Sequence, residues 1–312
     1  MPAPVGLAAG IDMGGTKCLG VVLDGEGSVV REERRPTPSG PEAVVATLAE
    51  LADDLRPWDT LGVGAAGLVT LDGVVRAGPH LHGVRDLPLG ARLSARLGQP
   101  VVVDNDATAT LVAEWRHGAA MGARDAVLVT LGTGIGGGIV AGGRLQRGAH
   151  GFAGEPGHMV VDPDGPPCPC GRRGCWERYA SGTGLARMGR EAAEGGRLGA
   201  LTEGIGGDPA ALRSEHLRDA ARQGDPEALA VLDQFAWWTA LGMVNLTNLL
   251  DPEVIVMGGG LADMADLVEA PIRRHFGDLL YAPEHRPHPR FAVARFGGSA
   301  GAIGAALLPG LP

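Results

Sequence analysis

The sequence predicts an α/β protein of two similar lobes around a cleft, and three observations support this fold class. Strand patterns alternate with helix patterns along 312 residues, a length that allows two sizeable cores. Glycine-rich turns follow three of the predicted strands. The third observation is an internal repeat, because residues 128–145 can be laid over residues 10–27 without a gap. In that alignment Gly14 coincides with Gly132.

The first half of the chain is predicted to form a three-stranded meander followed by helices that alternate with strands. Short apolar runs predict strands of the buried kind, and apolar residues spaced by three and four predict helices. Gly118 stands where helices commonly end. The predicted strands are 6–13, 18–24, 27–34, 60–69 and 98–104, and the predicted helices are 41–56, 87–98 and 107–118.

The second half restarts the strand–turn–strand pattern and continues with helices. Helices are predicted at 181–195, 214–224, 226–250 and 267–280, a strand with a triple-glycine turn at 252–263, and a strand at 290–296. We therefore expect an N-terminal α/β lobe of residues 1–118 and a C-terminal α/β lobe of residues 119–298. A closing helix within 299–312 is expected to pack back on the N-terminal lobe.

Composition and charge exclude several classes of protein. The formal net charge of −9 opposes a nucleic-acid surface, which needs an excess of lysine and arginine. No apolar run approaches the roughly 20 residues of a membrane-spanning helix, and the first residues do not have the pattern of a signal peptide. Because three of the four cysteines are crowded together, we expect a cytoplasmic protein without a disulfide framework.

The three glycine-rich turns lie at residues 12–17, 131–138 and 257–262. Glycine allows backbone N–H groups to surround an anion, although a single such turn is commonly only a tight hairpin. None has the spacing of a Walker or dinucleotide-binding motif. Together the three turns favour phosphate binding. Lys17, in the first turn, is the only lysine of the chain, either by chance or because it has a specific function.

The turns resemble, in order, the first phosphate, second phosphate and adenosine motifs of the sugar kinase, Hsp70 and actin superfamily of ATPases. The resemblance implies the actin/Hsp70/hexokinase ATPase fold, in which two ribonuclease-H-like lobes close on a nucleotide in a central cleft. It also implies that Asp12 holds Mg²⁺ and that Thr16 and Thr133 approach the phosphates of ATP. The nucleotide contacts implied are Asp12, Gly14, Gly15, Thr16, Lys17, Gly132, Thr133, Gly134, Gly258, Gly259 and Gly260.

Asp104, Asn105 and Asp106 stand where a predicted strand meets a predicted helix. Helix capping accounts for one such residue but not for three in a row. The carboxyl end of a parallel strand is also where open α/β sheets bind ligands. A kinase needs a carboxylate beside the substrate hydroxyl to accept its proton. We therefore predict Asp106 as the general base and Asn105 as a ligand of a sugar hydroxyl.

Three cysteines fall within eight residues, and a histidine precedes them. His158, Cys168, Cys170 and Cys175 have the types and spacing of a closed tetrahedral zinc shell, which leaves no open position for catalysis. Singly, a histidine or a cysteine is more often an ordinary surface or core residue, but the clustering favours structural zinc. Cys18, in a predicted strand, is expected to be simply buried.

Residues 128–158, together with residues 168–177, closely resemble the ROK family of sugar kinases and sugar-responsive repressors. They match the family's glycine signature, its Glu-x-Gly-His motif and its Cys-x-Cys-Gly-x-x-Gly-Cys-x-Glu motif. With the phosphate and adenosine turns, the resemblance spans essentially the whole chain. Ala66 departs from the proline of many members, which puts the fine sugar specificity in doubt. The resemblance implies that zinc positions a sugar site of Gly67, Asn105, Asp106, Glu155, His158 and Glu177.

The activity implied is that of an ATP-dependent glucokinase of glycolysis, which phosphorylates the 6-hydroxyl of glucose. Mannose, fructose or N-acetylglucosamine as acceptor and polyphosphate as donor remain alternatives, although relatives that use polyphosphate tend to lack the cysteine motif. A sugar-responsive regulator without kinase activity is disfavoured. Such members carry a helix-turn-helix domain before the first phosphate motif, whereas here that motif begins at Asp12 and the net charge opposes DNA binding. The resemblance also implies a homodimer or a dimer of dimers.

Overall fold

The computed structural model describes residues 6–78 and 81–311. The outermost residues of the predicted N-terminal lobe and closing helix, 1–5 and 312, lie outside the described residues. The described chain forms two five-stranded sheets, one three-stranded sheet and a set of helices. This arrangement confirms the mixed α/β class.

The first 118 residues contain eight strands and three helices within their described part. They are β1 (Ala8–Met13), β2 (Lys17–Leu23), β3 (Val29–Pro36), α1 (Pro41–Asp54), β4 (Thr60–Ala65), β5 (Leu68–Val69), β6 (Val75–Ala77), β7 (Arg85–Leu87), α2 (Leu89–Leu97), β8 (Val101–Asn105) and α3 (Asp106–His117). The rest of the described chain adds β9 (Ala126–Leu131), β10 (Ile135–Ala141), β11 (Arg144–Leu145), α4 (Glu177–Ala180), α5 (Gly182–Glu194), α6 (Gly199–Gly204), α7 (Ser214–Arg222), α8 (Pro226–Leu250), β12 (Val254–Gly258), α9 (Ala265–Leu279), β13 (Arg290–Val293) and α10 (Ala300–Leu307).

Both five-stranded sheets have the same strand order. One runs β3-β2-β1-β4-β8, and the other runs β11-β10-β9-β12-β13. In the first, β1 to β3 form an antiparallel meander, and β4 and β8 continue parallel to β1. In the second, β10 and β11 are antiparallel, whereas β12 and β13 are parallel. The matching topology supports the internal repeat inferred from the sequence.

The chain divides into two compact units. The first unit contains the residues up to 128, residues 137–154 and the residues from 294 onwards, and the second contains residues 129–136 and 155–293. The units are defined by their internal contacts rather than by the repeat. The lobe boundaries at 118 and 298 therefore stay predictions.

Small residues allow α10 to lie directly on the sheet of the first unit. A Cβ atom at Gly10 of β1 would overlap the carbonyl oxygen of Ala302, and one at Gly62 of β4 would overlap that of Ala305. All but the last residue of α10 are buried. Because the contact is backbone against backbone, larger side chains at these glycines would lift the helix from the sheet.

Two parts of the observed fold differ from the sequence-based expectation. The strand predicted at 60–69 is interrupted between β4 and β5, where Gly67 adopts a φ of 109°. The short strands β6 and β7 and the short helices α4 and α6 were not predicted, because segments of three to six residues carry too few positions to reveal a period. Within residues 6–78 and 81–311, no helix is both long enough and apolar enough to cross a lipid bilayer.

Candidate active site

Asp12 is half-buried near the end of β1 and lies close to Gly64 and Gly301. A Cβ atom at Gly301 would lie 2.7 Å from Cγ of Asp12, and one at Gly64 would lie 3.9 Å from its Oδ1. Burial, followed by the negative charge of Asp106, raises the pKa of Asp12 to about 7, against a smaller opposite effect of Lys17. A carboxylate in this setting fits a cation, which would offset both effects.

The first glycine-rich turn is closed by backbone hydrogen bonds. The N–H of Gly14 donates to the carbonyl of Lys17 at 3.1 Å, and the hydroxyl of Thr37 donates to the carbonyl of Gly14 at 2.7 Å. The predicted phosphate contacts Gly15, Thr16 and Lys17 are exposed. Thr37, which follows β3, was not predicted, because its contact with the turn depends on the pairing of β2 with β3.

Asn105 and Asp106 form the junction of β8 and α3. The side-chain oxygen of Asn105 caps α3 by accepting the N–H of Thr108 at 2.9 Å, and its Nδ2 donates to the carbonyl of Gly67 at 3.0 Å. Asp106 begins α3, and its Oδ1 accepts the N–H of Ala107 at 2.9 Å. Capping is therefore real at Asn105, but the same side chain also holds the predicted sugar ligand Gly67.

The four predicted zinc ligands lie together in the second unit. One donor atom from each of His158, Cys168, Cys170 and Cys175 lies within 4.8 Å of the others. The Sγ atoms of Cys170 and Cys175 are 3.6 Å apart, close to the separation of two thiolates on one tetrahedral ion with Zn–S bonds of about 2.3 Å. Three thiols and an imidazole form a donor set that suits zinc.

Glu177 connects this cluster to the second glycine-rich turn. The thiol of Cys168 donates to Oε1 of Glu177 at 3.2 Å, and a Cβ atom at Gly134 would lie 2.8 Å from Oε2. The Glu-x-Gly-His segment, residues 155–158, also packs tightly against the second glycine-rich turn, because a Cβ atom at Gly157 would overlap the carbonyl oxygen of Ile135. The cluster, Glu177 and residues 132–136 therefore form one packed group within the second unit, with Glu155 at the start of the Pro156–His158 turn.

The second and third glycine-rich turns are adjacent in the same unit. Gly259 has a φ of 83°, and a Cβ atom there would lie 2.7 Å from the carbonyl carbon of Leu131. The start of α5 supports the second turn, because the N–H of Gly182 donates to the carbonyl of Gly132 at 2.7 Å. The hydroxyl of Thr183 also donates to the carbonyl of Thr133, at 2.9 Å. These supports were not predicted, although the small residues 181–184 are a signal of close backbone approach.

Two sheets of identical order, with glycine-rich turns after β1, β9 and β12, define the class of the protein as an ATPase-like α/β fold of the actin, Hsp70 and hexokinase type. The chain belongs to the ROK family, whose model matches residues 8–309. The fold and the family expected from the sequence are thus confirmed.

Relatives and solved structures resemble the chain over nearly its full length. A glucokinase of Streptomyces coelicolor is 40% identical over 308 residues, covering 97% of each chain. An N-acetylmannosamine kinase of Salmonella typhi is 32% identical, covering 96% of each chain. The crystal structure of a ROK family glucokinase from Streptomyces griseus in complex with glucose and AMPPNP has a TM-score of 0.85 and 39% identity, covering 97% of this chain and 99% of that one.

Proposed function

We propose that the chain is an ATP-dependent glucokinase that transfers the γ-phosphoryl group of ATP to the 6-hydroxyl of glucose. The main support is the near-complete match to a glucokinase whose structure contains glucose and AMPPNP. The curated glucokinase relative, with 40% identity, points to the same reaction. The carboxylates and glycine-rich turns described above supply the groups that this reaction requires.

Asp106 is the proposed general base. The 6-hydroxyl oxygen attacks the γ-phosphorus, its proton passes to the Asp106 carboxylate, and the bond between the γ-phosphorus and the β–γ bridging oxygen breaks to release ADP. The hydrogen bond from the N–H of Ala107 to Oδ1 holds the carboxylate in one orientation. Fixing the base in this way reduces the entropy that is lost on reaching the transition state.

We further propose that Gly67, Asn105, Glu155, His158 and Glu177 bind the sugar together with Asp106. The amide of Asn105 donates one N–H to Gly67 and carries a second that suits a sugar hydroxyl. Glu177 packs against Gly134 and lies two residues beyond the proposed zinc ligand Cys175, which supports a role as an oriented acceptor. Exact orientation of such groups is what distinguishes one sugar from another.

For the nucleotide, the N–H groups and hydroxyls of the three turns would hold the phosphates and the adenosine. The proposed contacts are Gly14, Gly15, Thr16, Lys17, Gly132, Thr133, Gly134, Gly258, Gly259 and Gly260. Asp12 would hold Mg²⁺, which supplies positive charge to the transferred phosphoryl group. His158, Cys168, Cys170 and Cys175 would hold one zinc ion with a structural role, because four protein ligands complete its shell.

The reaction is tested by a coupled ADP-release assay over glucose, mannose, fructose, N-acetylglucosamine and N-acetylmannosamine, with ATP and polyphosphate compared as donors. We expect the highest kcat/KM with glucose and ATP. If another hexose is phosphorylated with equal or greater efficiency, the assignment to glucose is wrong, although the chain remains a hexose kinase. If no sugar is phosphorylated by either donor, the kinase proposal itself fails.

A kinase of another hexose is the second candidate, since the chain is also 32% identical to an N-acetylmannosamine kinase. Ala66, next to Gly67, lies in the segment where sugar specificity would be set.

The proposal also includes three expectations from the sequence: a homodimer or dimer of dimers, a cytoplasmic location and a role in glycolysis. Light scattering of the purified protein measures the first of these directly.

A further inference from the structure

An ion pair that takes no part in the proposed reaction lies directly beside the predicted base. Asp104, at the end of β8, is 5% exposed, and its Oδ2 accepts Nε of Arg147 at 2.6 Å. The Arg147 side chain is 25% exposed. Burying a carboxylate is unfavourable unless it is paired and hydrogen-bonded, so a buried ion pair at this position needs an explanation.

The second oxygen of Asp104 holds the adjacent residue. Its Oδ1 accepts the backbone N–H of Asn105 at 2.8 Å. Asn105 in turn uses its side chain to cap α3 at Thr108 and to hold the carbonyl of Gly67. Asp104 therefore fixes the backbone from which the side chain of Asn105 extends, and Asp106 follows one residue later.

Arg147 anchors a second segment to the same place. Its carbonyl accepts the N–H of Ala153 at 3.1 Å, which closes residues 147–153 into a compact loop. The loop lies against the segment after Gly67, because a Cβ atom at Gly151 would be 2.5 Å from the carbonyl oxygen of Val69. This loop leads in the sequence to Glu155.

We propose that Asp104 and Arg147 form a positioning pair that sets sugar affinity by fixing Asn105, Gly67 and the loop 147–153. The inference rests on the proposed function, because it takes Asn105 and Gly67 as sugar ligands. Neither member of the pair is assigned contact with the sugar. Each acts through the residues that it holds, so loss of the pair weakens glucose binding more than it slows the chemical step.

A double-mutant cycle tests the pair. The variants are Asp104→Asn, Arg147→Gln, the two combined, and Arg147→Lys. We expect each neutral single variant to raise KM for glucose about tenfold, with kcat reduced less and KM for ATP within about twofold of wild type. The double variant is expected to be no worse than the poorer single variant, since neither charge is left unpaired. Arg147→Lys should recover part of the affinity, because it restores the charge.

The control is Arg92→Gln, which breaks an exposed ion pair with Glu42 in the same unit and should leave every kinetic constant unchanged. Calorimetric titration with glucose alone and melting temperatures are measured for all variants. Folded single variants that bind glucose like wild type overturn the positioning role, as do equal increases of KM for glucose and ATP. A wild type that binds glucose without phosphorylating it overturns the proposed function alone, and one that does not bind glucose overturns both.

Discussion

At the scale of single residues, Asp12 and Asp106 are two carboxylates of the first unit whose charges act on each other. Burial and the charge of Asp106 together raise the pKa of Asp12 to about 7. Such a pair is unfavourable in the ligand-free protein and becomes favourable when a cation or a proton lies between its members. A divalent ion at one carboxylate and a substrate proton at the other would relieve the repulsion, in agreement with the roles proposed for them.

Asp12→Asn should therefore stabilise the chain at pH 8 when no divalent ion is present. The pKa of Asp12 is about 7 in the folded state, whereas an ordinary aspartate, as in the unfolded chain, has a pKa of 3.8. The folded state therefore loses stability as the pH rises from about 4 to 7. We expect the amide to raise the free energy of unfolding by on the order of 2–4 kcal/mol at pH 8 and to have little effect at pH 4. Urea unfolding in chelator at both pH values measures this. The exposed Glu50→Gln change serves as control, and a destabilised Asp12→Asn at pH 8 would contradict the interpretation.

Asp106→Asn should abolish most turnover while preserving sugar binding. The amide cannot accept the proton of the 6-hydroxyl, and loss of a positioned base lowers kcat by roughly 10² to 10⁴. The side-chain oxygen that accepts the N–H of Ala107 is retained, so the fold and the start of α3 should be unchanged. Steady-state kinetics and glucose calorimetry measure the two effects. A variant with near-normal kcat would remove Asp106 from the role of base.

At the scale of elements, the segment that carries the predicted metal ligands is linked to the long helix α8. The fully buried indole of Trp176, next to Cys175, donates from Nε1 to the carbonyl of Trp238 at 2.7 Å. Tyr179 stacks on the Trp238 ring with a centroid distance of 3.9 Å, and its hydroxyl donates to Asp162. Changes at the metal cluster should therefore reach the aromatic residues on α8.

Removal of the metal should consequently be visible in tryptophan fluorescence. We expect about one zinc ion per chain, and its extraction by a chelator should shift the emission to longer wavelength and lower the melting temperature. The exposed thiol of Cys170 should then react with a thiol reagent at pH 8. Cys18 should not, because burial raises the pKa of its thiol and shields it, which gives an internal control. Purified protein without zinc, or extraction without any spectral change, would contradict this account.

The contact between Trp176 and α8 also gives a prediction about two helical glycines. A Cβ atom at Gly242 would overlap the ring of Trp176, whereas one at Gly277 in α9 would meet nothing within 4 Å. Gly242→Ala should lower the free energy of unfolding by about 1–3 kcal/mol, because the indole is fixed and cannot move aside. Gly277→Ala should raise it by about 0.5–1 kcal/mol through helix propensity. Chemical unfolding of both variants measures the two changes. If both substitutions change the free energy of unfolding in the same direction, the contact of Gly242 with Trp176 does not exclude a larger side chain.

At the scale of the whole molecule, the sequence predicted those features that local patterns encode. The strands, most helices, the three turns and the repeat were accessible because apolar period and glycine position are local signals. The candidate metal cluster could be recognised because its four residues fall within eighteen residues of one another. The ion pair of Asp104 with Arg147 joins residues 43 apart, so no local pattern indicates it. The same holds for Thr183 and Thr133, which are 50 residues apart.

Glu114 makes hydrogen bonds that span a still longer stretch of the sequence. It is fully buried in α3, and its Oε1 accepts the backbone N–H groups of Arg295 at 2.8 Å and Phe296 at 3.0 Å, about 180 residues further along the chain. Its Oε2 accepts the N–H of Ala119 at 2.8 Å. One carboxylate thus joins α3 to the segment before α10. The unfavourable free energy of burying this carboxylate is offset by the hydrogen bonds that it accepts from the three N–H groups.

Glu114→Gln should therefore destabilise the protein although it keeps the size and shape of the side chain. A carboxylate accepts at both oxygens, whereas an amide presents N–H on one side, so at least one backbone N–H would face another donor. Leaving a buried donor unsatisfied costs about 1–3 kcal/mol. Thermal and urea unfolding measure the change, with the exposed Glu194→Gln as the matched control. The melting temperature should fall for Glu114→Gln alone. A variant as stable as wild type would show that the contact of α3 with residues 295–296 contributes nothing to stability.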